Sequence, residues 1–395
     1  MKIKPSSHFS LLTHFRRYSL YGLVITLTVL PVTAAIVTWN GDGGDGSVSS
    51  SNASPGANWV GGAVPASGSD LQFGAETVNG VGVVVFDAGS VFNVNSIAFT
   101  AAAPAYTVTA GSGSDVPNIA TSITNSSSVK QTFSNITLNV AATGQTWDGG
   151  IKGLDISSID LGQNRTLTLT GTGIGTNGNT IGQVLTGTGT SGIIKSGTGT
   201  LTINTPSNLH NDFTGATTVT GGSLILNGAN FGTGAYTVDG ATSALQLGVN
   251  NRIADASAIT LQNGGRFVLS NKSETLSALT VGVGGGIIDF GAGAGTNSLT
   301  LADSSLINWS GQLKILNFDA GDTLKFGTSN ITLTVAQLAN ISFQNGTGTN
   351  NLGNQTGAIN ASGIVTPTTV PEPTSILLIG MGSIALIARR KRRLC

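Results

Sequence analysis

Short runs of alternating residues recur along most of this 395-residue chain, and they limit its fold more than any other feature. Asn135-Ile136-Thr137-Leu138-Asn139-Val140, Thr166-Leu167-Thr168-Leu169, Thr200-Leu201-Thr202-Ile203, Ser223-Leu224-Ile225-Leu226 and Leu299-Thr300-Leu301 are examples. Successive side chains of a strand point to opposite faces, so a period of two describes strands with one buried and one wet face. Clusters of Gly, Asn, Ser and Thr separate the runs, and helical periodicity is nearly absent. Many short strands repeated along so long a chain indicate stacked repeats rather than one sandwich. The expected fold is all-β, a right-handed parallel β-helix or solenoid. Each strand would bond to the rungs above and below, with Ile, Leu, Val and Phe inward and Thr and Asn in water. Glycine would supply corners of positive φ. With 57 Gly and 9% charged residues, composition alone would also suit a flexible linker; the alternation argues against that.

The two ends follow other rules. Lys2, Lys4, Arg16 and Arg17 precede an apolar stretch from Leu20 to Leu30, and Pro31 breaks it. Val32-Thr33-Ala34 then offers small residues for cleavage, so 1–34 reads as a secretory signal peptide cut after Ala34 and handled by the Sec translocon. At the other end, Val370-Pro371-Glu372-Pro373-Thr374-Ser375 leads into an uncharged run, Ile376 to Ala388, and then into Arg389-Arg390-Lys391-Arg392-Arg393. Pro371 and Pro373 lack N–H donors and fix φ, which holds the backbone around Glu372 extended and open to an enzyme. As a helix the uncharged residues from Thr374 to Ala388 rise roughly 22 Å at about 1.5 Å per residue. That is short of a bilayer core of about 30 Å, so one short transmembrane helix at 376–388 would need local thinning and snorkelling arginines. The basic cluster would stop on the cytoplasmic side, leaving the body on the far side.

A proline-flanked Glu, a short apolar helix and a terminal arginine cluster together resemble the PEP-CTERM sorting signal of Gram-negative bacteria. The resemblance implies recognition by an inner-membrane exosortase at Pro371, Glu372 and Pro373, a transient stay in the inner membrane, and a mature form in the envelope, on the surface or outside the cell. Within the body, Val37-Thr38-Trp39-Asn40-Gly41, Ala57-Asn58-Trp59-Val60-Gly61-Gly62 and Leu71-Gln72-Phe73-Gly74 resemble the opening of autotransporter-associated β-strand repeat proteins. The stretch 195–228, from Lys195-Ser196-Gly197-Thr198-Gly199-Thr200 to Asn227-Gly228, is similar to that family's repeat almost position for position. Trp39 and Trp59 are expected to cap the open end of the coil.

Organisation follows. Residues 35–307 form the repeat body, 308–343 a C-terminal cap, 344–369 a Gly/Asn/Thr stalk, and 370–395 the sorting tail. In the cap, Trp309 to Phe318 reads as a longer strand and Thr334 to Asn340 as one short helix with Thr334 as N-cap. Four of the 18 Lys and Arg lie in the leader and five in the tail, whereas only Glu372 of the 18 acidic residues does. The body is therefore acidic, and nucleic acid is excluded as a partner. Its sole cysteine, Cys395, lies behind the arginines, so no disulfide supports the body.

Candidate chemistry is sparse. His8 and His14 lie in the leader, leaving His210, with Asp212 nearby, for any Ser-His-Asp arrangement; a solvated loop histidine is the simpler reading. No cluster has zinc spacing, and no metal or cofactor is expected. Gly41-Asp42-Gly43-Gly44-Asp45-Gly46 lacks the third carboxylate and closing Glu of a calcium loop. Asp155 with Asp160, or Asp319 with Asp322, could supply the two carboxylates of a glycosidase if one cleft held them. Three functions compete: an exported non-enzymatic surface or matrix protein associated with exopolysaccharide, a β-helix polysaccharide lyase or glycosidase, and an autotransporter-like adhesin passenger. The last is disfavoured because the chain lacks the amphipathic strands of a translocator barrel.

Overall fold

The computed structural model describes residues 34–41, 58–62, 64–75, 82–87, 91–112, 115–175, 178–206, 209, 211–228, 232–292, 296–319, 321–344 and 355–368. The unit Met1–Thr33, where the signal peptide is read, and residues 369 onward, where the sorting tail and its transmembrane helix are read, lie outside them.

The described chain is a parallel β-solenoid. Strands from Ile36–Trp39 to Ile341–Gln344 join in one 23-stranded sheet, and five further strands form a second. Pairing is parallel and in register from coil to coil: Ile193 lies beside Thr217, Leu201 beside Leu224, and Tyr236 beside Ile259. Each turn takes roughly two dozen residues. In-register stacking makes the interior a set of single-file columns. One runs Leu71, Ile97, Ile123, Trp147, Leu169, and later Val219, Val238, Leu261 and Val281. A second runs Val84, Val108, Phe133, Ile156, Ile181, Ile203, Leu226 and Leu247. All are buried, and each buried side chain of this size contributes about 1.5–3 kcal/mol relative to exposure.

The outer face is equally ordered. Thr146, Thr168, Ile194, Thr218, Thr237, Thr260 and Thr280 stand in one line, since β-branched residues suit a pleated surface. Asparagines stack too: Asn118 Nδ2 donates to Asn93 Oδ1 at 3.0 Å and Asn227 Nδ2 to Asn204 Oδ1 at 2.9 Å. Corners are made by glycine, as at Gly222, where φ is 63° and a Cβ would come within 2.1 Å of the Gly199 carbonyl oxygen. Asparagine shares that role, with Asn135, Asn164, Asn263 and Asn317 at φ between 51° and 53°, as its short polar side chain permits.

The first rung is closed by aromatics. Trp59 makes an antiparallel bridge to Trp39, and their rings meet edge to face at 5.1 Å, both leaning on Phe73 at 5.9 and 6.1 Å. Both tryptophans are buried, as their capping role requires. Phe73 stacks on Phe99 at 5.2 Å, which carries the aromatic column inward.

At the other end the chain departs from the sequence reading in two places. Asn308 marks no change of architecture. Gly286–Asp289, Leu313–Leu316 and Ile341–Gln344 continue one parallel ladder. The long strand read at Trp309 to Phe318 shrinks to Leu313–Leu316 because the buried Trp309 indole turns in to donate to the Leu279 carbonyl at 3.0 Å. The stretch read as stalk, 344–369, contains a hairpin, Gly357–Ile359 with Ile364–Pro367, that pairs antiparallel onto Thr323–Phe326. The helix Val335–Ala339 forms where the sequence places it, with Thr334 and Gln337 making a reciprocal capping box.

Replacing Trp59 by Ala should destabilise the coil by about 3–5 kcal/mol, the usual cost of emptying an aromatic site. Denaturant unfolding followed by far-ultraviolet circular dichroism measures it, and hydrogen exchange should loosen first in Ile36–Trp39 and Ser69–Phe73.

Candidate functional site

The surface feature with most chemistry lies where long strands bend. Gln131–Val140 pairs with Leu154–Gln163 up to Phe133 opposite Ile156, and pairing resumes at Thr137 opposite Ser158. Residues 134–136 therefore face Ser157 alone, which makes a bulge. The Ser157 hydroxyl clamps it, donating to the Ile136 carbonyl at 2.6 Å and accepting from the Ile136 N–H at 3.1 Å. The strand on the other side slips at the same height, with Ile181 opposite Ile156 and Val184 opposite Ser158. Two clefts flank the bulge. One, of about 520 Å³, is lined by Lys130, Thr132, Ser134, Asp155, Ser157 and Thr180 among others. The second, about 320 Å³, includes Ser112, Asp115, Asn135, Thr137 and Ser158.

Lys130 Nζ lies 3.0 Å from Asp155 Oδ1 in the larger cleft. Both side chains are partly exposed, so the pair adds at most about 1 kcal/mol. The hydroxyls and this neutralised pair suit hydrogen bonding to an uncharged polar ligand. Asp160 lines neither cleft: its Oδ1 accepts from the Gly162 N–H at 2.8 Å and the Thr186 hydroxyl at 3.4 Å. The cleft thus holds one carboxylate of the candidate pair, not two. Asp322 is engaged in a turn, accepting from the Asn297 N–H at 3.0 Å, Asn297 Nδ2 at 2.7 Å and the Asp319 N–H at 2.8 Å. Asp212 is exposed beside the buried Asn211. His210, residues 42–46 of the glycine-rich loop, Pro371, Glu372, Pro373, Arg389, Arg390, Lys391, Arg392 and Arg393 lie outside the described residues. Ala34 is the first described residue, and the Ala35 carbonyl already accepts from the Asp70 N–H at 2.9 Å, so the coil begins directly after the cleavage site read from the sequence. Among the described residues no group of three or more His, Cys, Asp or Glu could hold a metal, and no helix is long and apolar enough to cross a membrane.

Besides Asp115 at the second cleft, the buried charges Lys195, Glu274 and Asp289 escaped the reading by motif. Lys195 occupies the inner column between Leu169 and Val219. Its ammonium donates to the carbonyls of Ser196, Gly197 and Gly221 at 2.6, 3.0 and 2.9 Å. Burial lowers it from 10.5 to about 8. Glu274 accepts from the N–H groups of Arg252, Ile253 and Thr275 at 2.7, 3.1 and 3.0 Å, while burial pushes its carboxyl up. Asp289 accepts from Arg266, from Asn317 Nδ2 at 2.7 Å and from the Gly291 N–H at 2.9 Å. The signal for Lys195 was in the alternation: two residues after the inward Ile193, it must point inward.

A scan against protein-family models matches residues 369–393 to the PEP-CTERM protein-sorting motif. That motif marks a protein exported and sorted to the cell envelope by an exosortase in Gram-negative bacteria. No curated protein matches the chain, and no solved structure does.

Because folded Lys195 holds its proton less tightly than the unfolded chain, it contributes stability that grows as pH rises from about 8 towards 10.5. The midpoint of thermal unfolding of the wild type, relative to Lys195→Met, should climb across that window. A constant difference between the two would contradict this.

Proposed function

We propose that the chain is an exported, non-enzymatic surface or extracellular-matrix protein, released into or held in the envelope by exosortase processing and associated with exopolysaccharide. The observation that carries the reading is the sorting motif at 369–393 directly behind a long solenoid. Two further features support it. Outward lines of Thr and Asn offer repeated hydroxyl and amide groups to water and glycans, and the carboxylates of Asp155, Asp160 and Asp322 serve backbone N–H groups or an ion pair. On this reading 1–34 is the leader, cut after Ala34 on passage through the Sec translocon. Ile376 to Ala388 is the transient inner-membrane span, and Arg389 to Arg393 its cytoplasmic stop. The likeness of 195–228 to autotransporter-associated β-strand repeats fits the same role: its strands, Thr200–Ile203, Thr217–Val219 and Gly222–Leu226, stack as repeat units should. The larger bulge cleft keeps a polysaccharide-cleaving activity as the alternative, built on Asp155.

Glu372→Gln, or neutral residues at Arg389 to Arg393, should leave unprocessed precursor in inner-membrane fractions on immunoblots; unaltered processing would count against the tail assignment. The purified protein should sediment with polysaccharide from the producing cell without releasing reducing sugar. Sugar release that Asp155→Asn abolishes would decide for the enzyme.

A further inference from the structure

The three most exposed large apolar side chains among the described residues are Leu306, Val335 and Ile331, at 99%, 85% and 75%. They lie on three segments that are bonded to one another. The loop carrying Leu306 is tied to the capping helix by Gln337 Nε2, which donates to the carbonyls of Ser304 and Ile307 at 2.8 and 2.9 Å. The loop carrying Ile331 is tied to it by the Ser304 N–H, which donates to the Thr332 carbonyl at 3.2 Å. Between loop and helix lies a groove of about 270 Å³, lined by Leu306, Ile307, Thr334, Ala336 and the Trp309 edge. Water-exposed apolar residues scattered singly need no explanation, but the three extremes on segments bonded to one another do: Leu306 lines the groove, Val335 lies between its lining residues Thr334 and Ala336, and Ile331 precedes the bonded Thr332.

Charge and chain path select the occupant. No Asp, Glu, Lys or Arg occurs from Ser304 to Leu313 or from Phe326 to Pro371, so the three apolar side chains sit on uncharged segments, with the exposed Asp303, which accepts from the Ser305 N–H at 2.8 Å, as the ion at their border. The helix Val335–Ala339 packs against Gly357–Ile359, the hairpin strand whose partner, Ile364–Pro367, leads into the tail. Seven residues, 369–375, separate Thr368 from the apolar run that starts at Ile376. At about 3.3–3.6 Å per residue they reach roughly 25 Å at most. With the tail inserted, the bilayer is within that distance of Thr368, at the end of the hairpin that packs on the capping helix.

We propose that Leu306, Ile331 and Val335 form a bilayer-docking patch that seats the C-terminal end of the solenoid on the membrane surface while the tail is inserted. This rests on the sorting reading of the tail. The contact holds the coil at a fixed height and so presents Pro371 to Pro373 to a membrane enzyme at a set distance. Cutting the tail removes the tether, and three side chains alone are too small an anchor to keep the coil there.

The test uses the chain from Ala35 to Cys395, since Met1–Thr33 is a separate unit, with Cys395→Ser and one new cysteine carrying an environment-sensitive fluorophore. Leu306→Cys reports the patch and Thr146→Cys the remote coil. In vesicles of phosphatidylethanolamine and phosphatidylglycerol, flotation first establishes tail insertion. Emission at position 306 should then shift to the blue and be quenched by nitroxide-bearing lipid, with position 146 unchanged. Ile331→Ser with Val335→Ser should abolish most of that quenching while flotation persists. A floating chain whose position 306 is as aqueous as position 146 overturns the proposal. So does a blue shift that grows with protein density and ignores the lipid quencher, which would assign the patch to a second copy of the chain. A chain that fails to float overturns the tail reading itself.

Discussion

The in-register parallel hydrogen-bond ladder between rungs is the constraint on which the rest depends. Backbone pairing places each residue over its counterpart one coil away, so the choice of one side chain is constrained by the two it touches. Leu, Ile and Val persist inside the columns and Thr outside because each must fit its own kind. Stability in such an array is nearly a sum over neighbouring rungs, without the single long-range core of a globular domain. The bulges obey the same logic. The slip after Phe133 is matched by a slip at the same height, between Ile181 and Val184, in the strand on the other side of Leu154–Gln163, and clefts open beside this irregularity.

The buried charges show what the coil can tolerate. Lys195 meets three carbonyls, and Glu274 meets three N–H groups; neither relies on a partner of opposite sign. Corners of a solenoid expose backbone groups that the ladder leaves unused, and a charged end reaching a corner satisfies them while its stem fills the column. An apolar residue at position 195 would keep the packing and orphan those oxygens.

Much of this was legible in the sequence, for reasons that also explain the failures. Period-two alternation reported the strands because one face is dry and one wet, and Thr334 with Gln337 announced a helix start because capping is a local matter. Trp39 and Trp59 were readable as a lid because large aromatics beside a chain of small residues need a place to be buried. The hairpin at 357–367 was not readable as structure. Its strands are short, lie in a stretch rich in Gly, Asn and Thr, and are held by a partner strand, Thr323–Phe326, that lies far back in the chain. The groove beside the helix was invisible for the same reason: Leu306 and Val335 look like ordinary inward residues until the coil places both in water. Lys195 was hidden by its type, since a lysine in a Gly-rich segment suggests a wet loop although the alternation put it inside.

The antiparallel hairpin that ends the coil has a wider consequence. A solenoid with a bare last rung is a template on which an identical chain could continue the ladder and grow a fibre. Here the final strand of the second sheet is met from the opposite direction by Ile364–Pro367, itself edged by the three-residue Gly357–Ile359. A neighbour arriving in parallel finds no matching register there. Molecules packed together at high density can therefore lie side by side without fusing end to end through that terminus.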